Sequence, residues 1–256
     1  MWDPNTYQRY GDERSRPFFE LLARVRVEAP RAVVDLGCGP GNLTATLADR
    51  WPTARVTGLD SSPEMIEKAA ASGWPVEFAV QDLRDWRPGP DVDVVVSNAA
   101  LQWVPGHEEL LAVWAGALPA GAVVAVQVPG NWDAPSHRAL RAIAADGPWR
   151  DRVADGTVPR SVPSAEEYAR LLIPSGLAVD AWETTYVHLL PSAGPEHPVL
   201  RWMDGTALRP VRAALADEEW AEFRRRLGSR LAEVYPVVEG LVPFPFRRIF
   251  VVAHAG

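Results

Sequence analysis

The chain has 256 residues, enough for one α/β domain with insertions, and a formal net charge of −7. The acidic balance, with no lysine–arginine cluster dense enough to suggest a surface that follows phosphates, leads us to expect no nucleic acid partner. No apolar run is long enough to cross a membrane, and Met1–Asn5 lacks the basic start of a signal peptide. The single cysteine, Cys38, excludes an intrachain disulfide and a multi-cysteine metal site. We therefore expect a cytoplasmic protein with no metal and no membrane partner.

The first predicted elements are an amphipathic helix near Ser15–Val25 and a buried strand at Ala32–Leu36, which leads into the glycine turn, residues 37–41. Its glycines allow a ligand to approach the backbone closely. Asn42 stands where a dinucleotide fingerprint has its last glycine, and the carboxylate of Asp35 would repel a pyrophosphate. The same carboxylate would attract an ammonium or sulfonium group, so the turn favours S-adenosylmethionine over NAD.

The next two predicted strands, near Arg55–Leu59 and Val76–Val80, are each followed by an aspartate. Asp60 lies about 20 residues past the glycine turn, where α/β nucleotide sites place the carboxylate that binds both ribose hydroxyls. The alternative role for Asp60 is the N-cap of the following helix, although Ser61 or Ser62 can serve as that cap instead. Asp82 is expected to accept a hydrogen bond from the adenine amino group.

A fourth strand near Val92–Ser97 is followed by Asn98 and, five residues later, by Trp103. Ligands of parallel sheets bind beyond the carboxyl ends of the strands, and the glycine turn, Asp60, Asp82 and Asn98 all lie there. We expect the loop after this strand to face the reacting group. The alternative is a helix cap followed by an indole that packs in the core.

The remaining pattern predicts strands near Val123–Val128, Ala178–Leu189 and Phe246–Ala253, with helices near Ser136–Ala145, Ala165–Ser175 and Asp217–Val234. Apolar strands that alternate with amphipathic helices indicate an α/β, doubly wound, mostly parallel, Rossmann-like sheet of seven strands. We predict one domain over residues 1–256. An N-terminal helical segment, 1–30, precedes its core, and a helical cap, 190–243, is inserted before the last strand.

Three segments carry a resemblance to class I S-adenosylmethionine-dependent methyltransferases: Asp35–Gly41, Gly58–Pro63 and Asn98–Trp103. Further segments make the chain similar to the trans-aconitate 2-methyltransferase family: Glu13–Pro17, Val126–Trp132, Trp182–His188, Thr206–Pro210 and Phe246–Ala253. The resemblance covers essentially the whole chain and is weakest over residues 146–162.

The resemblance implies that S-adenosyl-L-methionine methylates a carboxylate of trans-aconitate, a small tricarboxylate, and leaves S-adenosyl-L-homocysteine. Such a carboxylate is already ionised at neutral pH, so no general base is needed and the protein only positions the reactants. The expected cofactor-binding residues are Asp35, Gly37, Gly39, Gly41, Asp60, Ser61, Asp82, Leu83 and Asn98. Arginine pairs bidentately with carboxylates, and the expected substrate-binding residues are Arg16, Trp103, Trp132, Tyr186, His188 and Arg209.

Three alternatives stay open at this point. A methyltransferase for another small organic acid or a hydroxylated natural product would share the same cofactor half. A dehydrogenase is disfavoured by Asp35 and Asn42. A non-catalytic, cofactor-binding homologue would also retain these motifs. The sequence does not indicate an oligomeric state.

Overall fold

The computed structural model describes residues 15–157 and 162–256, and side chains within 155–157 are not described. The chain divides into two compact units. The first comprises the chain up to Pro129, Val162–Thr184 and Arg248–Gly256; the second comprises Gly130–Ser161 and Thr185–Arg247. The predicted cap, 190–243, falls within the second unit, which also includes 130–161. The prediction of a single domain with a cap remains a prediction.

The strands are β1 Ala32–Leu36, β2 Arg55–Asp60, β3 Glu77–Val80, β4 Val92–Asn98, β5 Val123–Pro129, β6 Ala178–Pro191 and β7 Leu241–His254. The helices are α1 Arg16–Leu22, α2 Asn42–Arg50, α3 Pro63–Ala70, α4 His107–Gly116, α5 Pro135–Ala145, α6 Arg150–Thr157, α7 Ala165–Leu172, α8 Pro198–Asp204, α9 Arg209–Ala214 and α10 Asp217–Val234. Short 3₁₀ turns follow β3, β4 and α7, at Leu83–Asp85, Leu101–Trp103 and Ile173–Ser175.

The seven strands form one sheet in the order β3-β2-β1-β4-β5-β7-β6. Strands β1 to β5 pair in parallel, and β7 pairs antiparallel with β5. This confirms the predicted α/β, mostly parallel, Rossmann-like sheet. Chain order reverses at β1, which has β2 on one side and β4 on the other, and such a reversal is where ligands of these folds bind.

Two parts of the chain depart from the sequence pattern. Strand β7 begins at Leu241, five residues before the predicted Phe246, because Val242 and Phe244 are buried while Pro243 and Pro245 alternate with them at exposed positions. Prolines inside an apolar run argue against a strand, so the sequence pattern does not predict the first five residues of β7. Helix α6 also forms in a stretch that the sequence marks only as polar.

The two faces of the sheet in the first unit differ in chemistry. On one face, apolar side chains such as Leu36, Val95 and Val126 pack in a core with Trp114 of α4 and Tyr168 of α7. Because successive side chains in a strand point to opposite faces, the residues between them in sequence face the other way. That second face carries polar residues at the carboxyl ends of the strands.

The second unit has a core of its own. Its helices and the adjoining parts of β6 and β7 bury a second apolar cluster that includes Trp149, Met203, Phe223 and Phe244. The rings of Trp149 and Phe223 meet edge to face with their centroids 5.2 Å apart. Helix α10 matches its predicted bounds, and its buried side chains, Phe223, Leu227 and Leu231, recur at helical spacing.

Candidate cofactor and substrate site

The glycine turn uses its own N–H groups within the protein. Gly37 and Cys38 donate to the carbonyl of Leu59 (2.7 and 3.0 Å), Gly39 donates to Asp60 Oδ2 (2.9 Å), and Gly41 donates to the carbonyl of Cys38 (3.2 Å). Pro40 has no N–H to offer. Since a phosphate loop depends on free backbone N–H groups, these bonds favour a ligand other than a pyrophosphate.

Gly37 is required both by its backbone angle and by its neighbour. Its φ is +79°, and a Cβ at this position would lie 2.3 Å from the Cβ of Ala100. The loop after β4 therefore rests directly on the glycine turn. Gly39, with φ +56°, would place a Cβ in open space, so the turn is accessible from that side.

Asp60 connects the glycine turn to helix α3. Its Oδ2 accepts the N–H of Gly39 and its Oδ1 accepts the N–H of Ser62, both at 2.9 Å. The side chain of Ser62 caps α3 by accepting the N–H of Met65, so the alternative role of Asp60 as the N-cap is not needed. A carboxylate can accept about four hydrogen bonds, which leaves lone pairs for the two ribose hydroxyls.

Asp35 is a buried carboxylate with one neutral partner. Its side chain is 3% exposed, and its Oδ2 accepts the hydroxyl of Thr44 on α2 at 2.6 Å. Its pKa is raised from 3.8 to about 6: burial is the largest cause, the Thr44 hydrogen bond opposes the rise, and the nearby charge of Asp60 adds to it. An anion in this setting is stabilised by a cationic ligand. Thr44 was not predicted from the sequence.

Asp82 has a strong partner within the protein. It caps the 3₁₀ turn that begins at Leu83 by accepting the N–H of Arg84, and the Arg84 guanidinium binds both carboxylate oxygens, at 2.5 to 3.1 Å. These hydrogen bonds lower the pKa of Asp82 to about 2. The adenine contact remains a prediction, and Asp82 would make it while paired with Arg84.

The loop after β4 is strained and contains buried acceptors. Ala99 has φ +55°, unusual for a residue other than glycine. The amide nitrogen of Gln102 donates to the Ala99 carbonyl at 2.6 Å. Within the described part of the chain, Asn98 Oδ1 and Gln102 Oε1 are buried without a hydrogen-bond partner. Such groups and such strain concentrate at functional sites.

At the edge where the parallel strands end, five neighbouring strands each place one polar residue on the same face of the sheet. We call this set the polar row: Asp60 of β2, Asp35 of β1, Asn98 of β4, Gln127 of β5 and Arg248 of β7. Asn98 and Gln127 are direct partners, and the Arg248 guanidinium donates to Gln127 Oε1 at 3.3 Å. The charge along the row runs from two carboxylates through two neutral amides to one cation.

Gln127 and Arg248 were missed by the sequence analysis. Gln127 is the polar residue within the apolar strand Val123–Pro129, and that interruption was the available signal. Arg248 is the second residue of an arginine pair, Arg247-Arg248, that directly precedes the apolar run Ile249–Ala253 in β7. Both are buried, with 0% and 7% of their surface exposed.

Two predicted substrate residues, Arg16 and Trp103, lie in the first unit. Arg16 begins α1 and pairs with Glu20 one turn later at 2.7 Å, with more than half of its side chain exposed. Trp103 ends the 3₁₀ turn after β4 and is 46% exposed. Their substrate roles remain predictions.

The other four predicted substrate residues lie in the second unit. Tyr186 and His188 are buried and stack with ring centroids 6.4 Å apart. Trp132 packs against His137 (5.1 Å), and its carbonyl accepts from Arg141. Arg209, by contrast, is exposed at the first residue of α9.

Burial raises the pKa of the Cys38 thiol well above its usual range, which disfavours a thiolate nucleophile there.

Among residues 15–157 and 162–256, no cluster of three or more histidine, cysteine or acidic side chains could hold a metal ion. The same stretches contain no helix of the length and apolarity that a membrane crossing requires.

Comparison with known proteins agrees with this geometry. A methyltransferase-domain family model matches residues 33–121, which run from β1 past α4. The crystal structure of an S-adenosylmethionine-dependent methyltransferase from Mesorhizobium loti matches 95% of this chain and 99% of that one, with a TM-score of 0.53 at 20% identity. The fold is that of the class I methyltransferases.

Named relatives show to which family of methyltransferases the chain belongs. The trans-aconitate 2-methyltransferase of Mycobacterium sp. (strain KMS) is 55% identical over 100% of both chains, and that of Rhodococcus jostii (strain RHA1) is 56% identical over 99% of both. The chain belongs to the trans-aconitate 2-methyltransferase family, as its sequence motifs indicated.

Proposed function

We propose that this protein transfers a methyl group from S-adenosyl-L-methionine to a carboxylate of trans-aconitate, giving a methyl ester and S-adenosyl-L-homocysteine. The full-length identity to trans-aconitate 2-methyltransferases supports the reaction and the substrate. The structural observation that carries the proposal is Asp35, a buried carboxylate beside a glycine turn whose N–H groups are already bonded within the protein. This arrangement suits a cationic nucleoside ligand.

Each predicted cofactor residue has a role that fits this ligand. Asp35 attracts the positive charge of the methionine portion, and Asp60 accepts the ribose hydroxyls beside Ser61. Asp82 and Leu83 bind the adenine, and the backbone of the glycine turn lies against the ligand. Asn98 Oδ1, a buried acceptor without a partner in the described residues, supplies a further hydrogen bond.

The chemistry requires positioning more than proton transfer. When bound, the cofactor would supply an electrophilic methyl group on a sulfonium. The carboxylate oxygen would form the new bond to the methyl carbon as the S–CH₃ bond breaks, and the sulfur would leave as a neutral thioether. Because an aconitate carboxyl with a pKa near ~4 is ionised at neutral pH, no residue has to remove a proton. Opposite charges combine in this reaction, so a dry site with aligned reactants accelerates it.

Selectivity for an acid requires groups that hold the carboxylates that do not react. Arg209, His188 and Arg16 are the proposed cations, with Tyr186, Trp132 and Trp103 as neighbours. Arg209→Ala should raise the KM for trans-aconitate and leave the Kd of S-adenosyl-L-homocysteine unchanged. Unaltered kinetics would remove Arg209 from the substrate site.

The proposal is tested by incubating the protein with methyl-labelled S-adenosyl-L-methionine and trans-aconitate. We expect label in a product that mild base hydrolyses, as a methyl ester requires. Cofactor binding without a labelled product from any small acid would instead identify a non-catalytic homologue. Label in a base-stable product of a hydroxylated compound would identify a different methyltransferase. Cell fractionation tests the expected cytoplasmic location.

A further inference from the structure

The side-chain amide of Gln127 has a fixed orientation and an unused donor. A guanidinium can only donate hydrogen bonds, so the atom that faces Arg248 must be Oε1, as observed at 3.3 Å. The Nε2 group therefore points elsewhere. It is buried, on a residue with 0% exposure, and has no hydrogen-bond partner in the described structure. Native proteins rarely leave a buried donor unpaired, so this NH₂ group is suited to a bound acceptor.

The surroundings of Gln127 define the charge of that acceptor. In the polar row, Gln127 lies between Asn98 on β4 and the buried cation Arg248 on β7. Neighbouring strands are about 4.8 Å apart, so the backbone of Gln127 lies roughly 5 Å from that of Asn98 and, two strands and two residues away, roughly 12 Å from that of Asp35. The donor group is thus on the cationic side of the row, away from both carboxylates, and an anion is favoured there.

We propose that Gln127 is a substrate-binding residue: its Nε2 group donates to a carboxylate of the acid substrate, while its Oε1 holds Arg248 so that the guanidinium charge faces the same carboxylate. The inference rests on the proposed function and adds this pair to the predicted substrate residues. The two ends of the polar row then have different tasks. Asp60 and Asp35 face the cationic cofactor, and Gln127 and Arg248 face the anionic substrate, with Asn98 between them.

Two substitutions separate this role from a purely structural one. Gln127→Met removes both hydrogen bonds at similar length. Gln127→Glu keeps an acceptor for Arg248 but replaces the NH₂ donor by an oxygen that repels a carboxylate. Val126→Thr is the control, because it places a polar group on the same strand but on the opposite face.

The measurements are the KM and kcat for trans-aconitate, the Kd of S-adenosyl-L-homocysteine, and direct binding of trans-aconitate to the protein saturated with S-adenosyl-L-homocysteine. We expect Gln127→Met to raise KM by about 10- to 100-fold, as loss of a hydrogen bond to a charged group does. Gln127→Glu should raise KM at least as much. The Kd of S-adenosyl-L-homocysteine should stay within about twofold in all variants, and Val126→Thr should retain the wild-type KM.

A KM for trans-aconitate that stays near the wild-type value in Gln127→Glu overturns the inference. If Gln127 only orients Arg248, Gln127→Glu restores that contact and has a KM near that of the wild type. An active wild type with unchanged KM in both variants would reject the inference and leave the proposed function intact. If the wild type transfers no methyl group, the binding measurement decides: tricarboxylate binding that Gln127→Glu abolishes supports the carboxylate site, and absence of binding to the wild type rejects it.

Discussion

The buried carboxylate of Asp35 makes a specific prediction about stability and pH. Its pKa is about 6 in the folded protein, against 3.8 for an ordinary aspartate. The folded state therefore holds this proton over a range in which the unfolded state has lost it. The free energy of unfolding decreases with rising pH wherever the folded state binds more protons than the unfolded state. The unliganded protein should therefore lose stability as pH rises from about 4 to about 6.

The size of the effect follows from the shift. A difference of about 2 pH units at about 1.4 kcal/mol each gives a loss of roughly 3 kcal/mol for this fully buried group. Asp35→Asn keeps an acceptor for the Thr44 hydroxyl and carries no charge at any pH. The variant should therefore lack this contribution and gain stability relative to the wild type by up to about 3 kcal/mol above pH 6.

Urea unfolding of both unliganded proteins between pH 4 and pH 8 measures this difference. The reasoning would be refuted by a constant difference in unfolding free energy between wild type and Asp35→Asn across that range.

Cofactor affinity should increase with pH over the range in which stability decreases. A cationic ligand favours the ionised carboxylate, so wild-type binding of S-adenosyl-L-methionine should weaken as pH falls below about 6, and Asp35→Asn should bind weakly at every pH.

Three further substitutions or treatments test other parts of the first unit. Gly37→Ala should destabilise the fold by several kcal/mol and abolish cofactor binding, because a Cβ would meet Ala100 at 2.3 Å and φ is +79°; a soluble variant with normal binding contradicts this. Iodoacetamide at pH 8 should alkylate Cys38 far more slowly in the folded than in the unfolded protein, since burial raises the thiol pKa; equal rates contradict this. Tyr168→Phe should cost about 1–2 kcal/mol in urea unfolding, because it removes the hydroxyl that lies 2.6 Å from the buried His107 ring; an unchanged midpoint contradicts this.

The positions of the expected cofactor-binding residues could largely be predicted because their signals are local in sequence. The glycine turn follows a buried strand, and Asp60 and Asn98 end strands that are themselves clear apolar runs. In a parallel sheet such strand ends gather at one edge, so the position of each residue follows from the fold class alone. Local chemistry also indicated that Ser61 or Ser62 could cap the helix in place of Asp60, and the cap is Ser62.

Other contacts of this face of the sheet could not be predicted in the same way. Gln127 and Arg248 are 121 residues apart, and only the antiparallel pairing of β5 with β7 brings them together. Thr44 contacts Asp35 through the packing of α2 on the sheet, which no periodicity reveals. Arg209 looked fixed between Leu208 and Pro210, yet it begins a short helix with its side chain exposed.

The measurement that tests the account most directly is the rate of methyl ester formation from S-adenosyl-L-methionine with trans-aconitate, cis-aconitate, isocitrate and citrate in parallel. The account predicts a base-labile ester whose kcat/KM is highest for trans-aconitate. Tight binding of S-adenosyl-L-methionine with no ester from any of the four acids would contradict it, because the acidic half of the polar row would then hold the cofactor without a carboxylate to methylate.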